Sequence, residues 1–187
     1  WGDVSTPAPN GTALQTLGRR FAYFNGYEPT QSVGLYPTDG TSDGVSYDEL
    51  GVAAYTFELG TAFFQSCTYF ESTVKPDNLP ALIYAAKVVR APYLLQAGPD
   101  VTGIVLSNGG KVAAGTQVSL SGSSTDTQFN NSNGTESTQN ITAAEYYIDT
   151  PPWVEGATAI ALSAADGTFN EATEEYSGVI DTSSLSE

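Results

Sequence analysis

The sequence predicts an α/β layered first half followed by a β-sandwich, as two units of residues 1–97 and 98–187. Three observations carry this. Apolar residues recur at three-four spacing over 14–24 and again over 79–90, with short β-leaning runs between, the pattern of helices laid on a sheet. Beyond Ala97-Gly98-Pro99-Asp100 that spacing stops, and short alternating runs appear at 101–107, 117–121, 144–148, 159–163 and 176–180, separated by Gly, Ser, Asn and Asp clusters. Charge divides the same way: all six basic residues lie in the first 111 positions, whereas 112–187 hold eleven acids and no base. An acidic, solvated face is the expectation for the second half.

The elements follow in order. Asn10 or Thr12 caps a helix over 12–25 whose apolar face is Leu14, Leu17, Phe21 and Phe24, and Gly26 ends it. Residues 32–36 read as a short strand closed by the turn Pro37-Thr38-Asp39-Gly40. Residues 40–51 read as a polar loop with at most one helical turn around Tyr47, and 52–59 as a strand. A packed segment over 62–70 precedes a second helix, with Asp77 or Asn78 as its cap and Leu79, Leu82, Ile83, Ala86 and Val89 or Arg90 as its buried face. Pro92 stops it. Residues 122–142 read as a long polar loop.

Composition excludes several function classes. A net charge of −15 argues against nucleic acid and anionic membrane surfaces as partners. No apolar run approaches the ~18 residues of a membrane span. Cys67, the single cysteine, is expected to be a small buried apolar residue, and Trp153 to cap a core. Sequons at Asn10, Asn130, Asn133 and Asn140 mark surface positions that are candidate glycan sites, and a secreted, extracellular chain is expected. The chain reads as cut at both ends.

Chemistry concentrates in Tyr55-Thr56-Phe57-Glu58-Leu59-Gly60, where one carboxylate sits in an apolar run. Partial loss of hydration there would raise the pKa of Glu58 and suit it to proton transfer near neutral pH. Tyr36, 22 residues earlier, is placed to share a sheet edge with it. There is no histidine, and Cys67 with scattered carboxylates forms no ligand cluster, so no metal ligand is assigned in this chain.

The ordered set Tyr36-Pro-Thr-Asp-Gly-Thr-Ser-Asp43 and Tyr47 through Thr56-Phe57-Glu58-Leu59-Gly60 resembles the latter half of zinc carboxypeptidases of the A and B type, a likeness that covers roughly residues 1–97. The resemblance implies the second half of a mixed-sheet peptidase domain. Glu58 would be its proton-transferring carboxylate, Tyr36 the tyrosine that closes over the substrate's terminal carboxylate, and Thr56 a pocket-lining residue. Asp43 would be the specificity residue, favouring lysine or arginine at the substrate's end, although a loop aspartate in an Asx turn is the competing reading of that position. Zn2+ and its ligands would belong to residues upstream, so the chain alone is expected to be inactive. Gly44-Val45 follows Asp43 where Asp-Trp is common in animal enzymes, an altered pocket wall. The second half resembles an incomplete immunoglobulin-like β-sandwich appended to secreted bacterial enzymes of this kind. The partners implied are peptide or protein C-termini. A non-catalytic surface-binding or adhesion module on a pseudo-peptidase scaffold is the alternative.

Overall fold

A computed structural model describes residues 4–183 and 185, a mixed helical and antiparallel-sheet chain that divides into two compact units. The first unit comprises residues 1–97 with Gln128–Glu136, and the second Gly98–Thr127 with the remainder from Ser137.

In the first unit, helix α1 (Gly11–Asn25) forms as its periodicity predicts, with Leu17 and Phe21 buried. Gly26 closes it in the left-handed region (φ 68°), its N–H donating 2.9 Å to the Ala22 carbonyl. Residues 32–36 are not a strand. Ser32–Gly34 form a 3-10 turn, and Leu35 and Tyr36 donate back to the Ser32 carbonyl, so local bonds satisfy groups a strand would leave for its neighbours.

The polar stretch after Gly40 is a nine-residue helix, α2 (Ser42–Leu50), rather than a loop with a single turn. The Thr41 hydroxyl accepts from the Gly44 N–H, Asp43 sits in the first turn near the helix's positive end, and Gly51 supplies the left-handed exit at φ 66°.

A continuous helical rod runs from Cys67 to Val88: α3 (Cys67–Tyr69), a π-helical stretch Phe70–Val74, and α4 (Lys75–Val88). It starts about ten residues before the expected cap, because the Ser66 hydroxyl accepts from the Tyr69 N–H and caps it first. Cys67 is exposed, not buried, since it lies in the first turn of this rod.

The buried face of α4 is Asn78, Ala81, Tyr84 and Val88, with Leu79, Leu82, Ile83 and Val89 about half exposed or more. This reverses the expected face. The helix is apolar on both sides, so periodicity does not select one. The small Ala81, fully buried, sits in the core where α4 meets α1. That core gathers Leu17, Phe21, Ala81, Tyr84 and Val88, flanked by Phe24, Tyr55 and Phe57. Phe21 makes edge contacts with Tyr55, Phe57 and Tyr84 at centroid distances of 5.0, 5.4 and 6.2 Å, each worth about 0.5–1.5 kcal/mol beyond area burial.

The second unit holds β1 (Asp100–Leu106), β2 (Gln117–Thr125), β3 (Glu145–Tyr146), β4 (Ile160–Ala161), β5 (Ser163–Ala164) and β6 (Thr173–Asp181). One antiparallel sheet has the order β1-β2-β6-β5 and β3 pairs with β4. β2 and β6 pair continuously from Gln117↔Asp181 to Thr125↔Thr173. Alternation is clear on β6, where Glu174 and Tyr176 face inward and their neighbours outward. Gly122 allows the Tyr176 ring to approach, because a Cβ there would lie 2.9 Å from a ring carbon. Trp153 is 60 % exposed rather than core-capping: it lies in consecutive turns, with Val154 N–H bonded to Pro151 O and Ala157 N–H to Val154 O.

Candidate functional site

Residues 52–59 form no strand. Val52 N–H donates to the Ser46 carbonyl, and among the described residues no backbone hydrogen bond involves residues 53–59. The strand expected over 52–59 is not formed, because among the described residues this stretch joins no ladder.

Side chains alternate along this segment. Tyr55 and Phe57 turn inward against Phe21, and the Tyr55 hydroxyl donates 2.9 Å to the Leu14 carbonyl. Burial pushes the Tyr55 phenol well above its ordinary value, with Tyr93 adding a smaller effect in the same direction. Thr56, between the inward-facing Tyr55 and Phe57, is exposed, and so are Glu58 and Leu59 beyond them.

A buried polar network holds the end of the segment. Asn78 donates through Nδ2 to the Val74 carbonyl at 2.9 Å and to the Tyr27 hydroxyl at 3.1 Å, and its Oδ1 accepts from Asn25 Nδ2 at 3.2 Å. The same Tyr27 hydroxyl accepts from the Gly60 N–H at 3.1 Å. Asn25 Oδ1 in turn accepts from the Tyr27 N–H at 3.0 Å. Gly60 has φ 76°, and a Cβ on it would meet Gln65 at 2.8 Å, so the chain turns directly after Leu59 only with glycine there. Asn25, Tyr27 and Asn78 thereby position the Glu58 segment.

The four expected site residues fall as follows. Thr56 and Glu58 are both exposed, two positions apart in the 52–59 segment. Asp43 is half-buried in the first turn of α2. Tyr36 is 58 % exposed just beyond the 3-10 turn. Among the described residues, no hydrogen bond or ion pair joins these four to one another. The expected dehydration of Glu58 is not found. Its side chain is exposed, while the neighbouring Tyr55 and Phe57 pack against the Phe21 core.

An open apolar groove of about 330 Å³ is lined by Leu17, Phe21, Val52, Tyr55, Val88 and Tyr93, among others. Glu58 is not among the residues that line it. The Tyr93 hydroxyl closes one end by donating 2.9 Å to the Gly51 carbonyl.

Among the described residues, no group of three or more His, Cys, Asp or Glu side chains is placed to hold a metal ion. No helix is long and apolar enough to cross a membrane among the described residues. Comparison with protein families, with curated proteins and with solved structures gave no match to this chain.

Proposed function

We propose that the chain is the C-terminal half of a zinc metallocarboxypeptidase domain followed by an incomplete immunoglobulin-like β-sandwich, in a secreted protein that releases single residues from peptide C-termini. The observation that supports this is the construction of residues 52–60. Aromatic side chains anchor one face and the Tyr27 hydroxyl anchors the end, leaving Thr56 and Glu58 side by side on the other face, within the ordered set Tyr36, Asp43, Thr56 and Glu58. In this reading the Glu58 carboxylate holds and delivers a proton. The Tyr36 hydroxyl closes on the substrate's terminal carboxylate, and Asp43 attracts a cationic terminal side chain. The metal belongs to residues outside this chain, as do the groups that would cover Glu58 and remove its water. Exposed Asn10 and Asn140 are the readiest glycan sites, because Asn130 and Asn133 already use their amide nitrogens to bond the Ala22 and Pro29 carbonyls.

The test has two arms. The isolated chain gives no turnover of peptides ending in lysine or arginine, with or without added zinc; stoichiometric zinc binding with turnover overturns the assignment. In the longer protein that this reading requires, Glu58→Gln lowers kcat by about 10²-fold or more with KM little changed, and Asp43→Ile shifts preference from basic to apolar terminal residues. A longer protein that binds peptides without cleaving them supports the second reading, a non-catalytic binding module, which the solvent exposure of Glu58 favours.

A further inference from the structure

We propose that Gln128–Glu136 is a strap that completes the first unit and is held there by Arg19 and Arg20, so that residues 1–97 are not by themselves the whole of that unit. This inference is independent of the peptidase reading. It starts from a buried charge. Arg20 is 2 % exposed, and its guanidinium reaches carbonyls of two separate stretches of chain: Nε to Gln96 O at 3.2 Å, Nη2 to Ala97 O, and Nη1 to Gln128 O at 3.3 Å. The Phe129 ring lies 5.3 Å from its central carbon. A buried cation is strongly destabilising without such partners, and the strap adds to those that Arg20 finds at 96–97. The strap supplies the third carbonyl and an aromatic face.

The neighbouring contacts run the length of the strap. Asn130 N–H donates 3.0 Å to the Arg19 carbonyl, and Asn130 Nδ2 donates 3.4 Å to the Ala22 carbonyl. Asn133 Nδ2 donates 2.8 Å to the Pro29 carbonyl, while its own carbonyl accepts from Arg19 Nη2 at 2.6 Å. Arg19 Nη1 pairs with Glu136, whose N–H donates 2.9 Å to Asn131 Oδ1 and folds the strap on itself. Gly134 is required at the closest approach. Its φ is 131°, and a Cβ there would lie 2.1 Å from Arg19 Nη2. The charge division seen in the sequence thus has a use: an acid from the base-free half neutralises a basic residue of α1.

The experiment is hydrogen exchange on the full chain, wild type against Arg20→Lys, which keeps the charge and removes the planar fork. The wild type protects the Asn130 amide. The variant speeds exchange across 128–136 by about tenfold or more, and leaves β2 and β6 amides unchanged. If Arg20→Lys fails to fold, Gly134→Ala and Glu136→Gln carry the test, each opening 131–136 in a folded protein. Strap amides that exchange at unfolded-chain rates in the wild type, or that stay equally protected in every variant that folds, overturn the proposal.

Discussion

Around Phe21 in the first unit, three further aromatic rings meet edge-on, and the helices there are held by their side chains. In the second unit the longest contact is the β2–β6 ladder, and the buried positions include Ser124, Thr125, Asp126 and Glu174 beside Val118, Ile141, Leu162 and Tyr176. The difference teaches where each unit is vulnerable. The first depends on shape in an aromatic core, and it keeps surplus apolar surface on α4 that its own residues do not cover. The second depends on satisfied hydrogen bonds, so it is sensitive to the loss of a polar partner rather than of volume.

The largest expected effect breaks the comparison on the aromatic side. Phe21→Ala destabilises the first unit by about 3–5 kcal/mol, seen as lost amide protection in α1 and α4, with β2 and β6 unaffected. Equal loss in both units would show that they do not divide the core as described. Next comes Glu174→Ala. The Glu174 carboxylate, 4 % exposed, accepts from the Asn170 and Glu171 N–H groups at 2.6 and 2.7 Å. Removing it strands two donors and costs the second unit about 2–3 kcal/mol, measured as a lower denaturant midpoint for β6 protection and unchanged α1.

The smallest effect sharpens the comparison through pH. The folded-state pKa of Tyr55 is raised by burial, so its contribution to stability is complete below its unfolded value, near pH 10, and falls as pH rises from there. The first unit should therefore lose stability above pH 10. Tyr55→Phe, which gives up the hydrogen bond to Leu14 and about 1 kcal/mol at neutral pH, should flatten that alkaline slope. An unchanged slope would assign it to other groups.

What the sequence revealed follows the range of the interaction. Helix α1 was legible because Leu17, Phe21 and Gly26 act within a few residues of one another. Helix α2 was missed because Gly40, Gly44 and Gly51 signal a loop, although Thr41 before Asp43 was an available cap signal. The strand expected over 52–59 did not form, because β-leaning residues give only a propensity and pairing depends on distant chain. At the candidate site, the alternation that puts Thr56 beside Glu58 could be read directly, but the hydration of Glu58 depends on what covers it. The Asn25–Tyr27–Asn78 network was invisible because Asn78 lies 53 and 51 residues from Asn25 and Tyr27 and alone looks like a cap. The strap contacts were not legible: residues 122–142 read as a polar loop, because Arg19 and Glu136 lie 117 residues apart.

The unpaired backbone of residues 53–59 should also affect how this protein behaves in a tube. Amides and carbonyls that meet no ladder are templates for another molecule's backbone, and the fully bare Phe63 and Phe64 add adhesive surface a few positions on. Mutual repulsion between molecules bearing a charge of −15 keeps them apart in dilute buffer. Because added electrolyte shortens the reach of that repulsion from about 10 Å at 0.1 M to about 3 Å at 1 M, concentrated stocks should stay clear in low salt and turn cloudy as salt is raised.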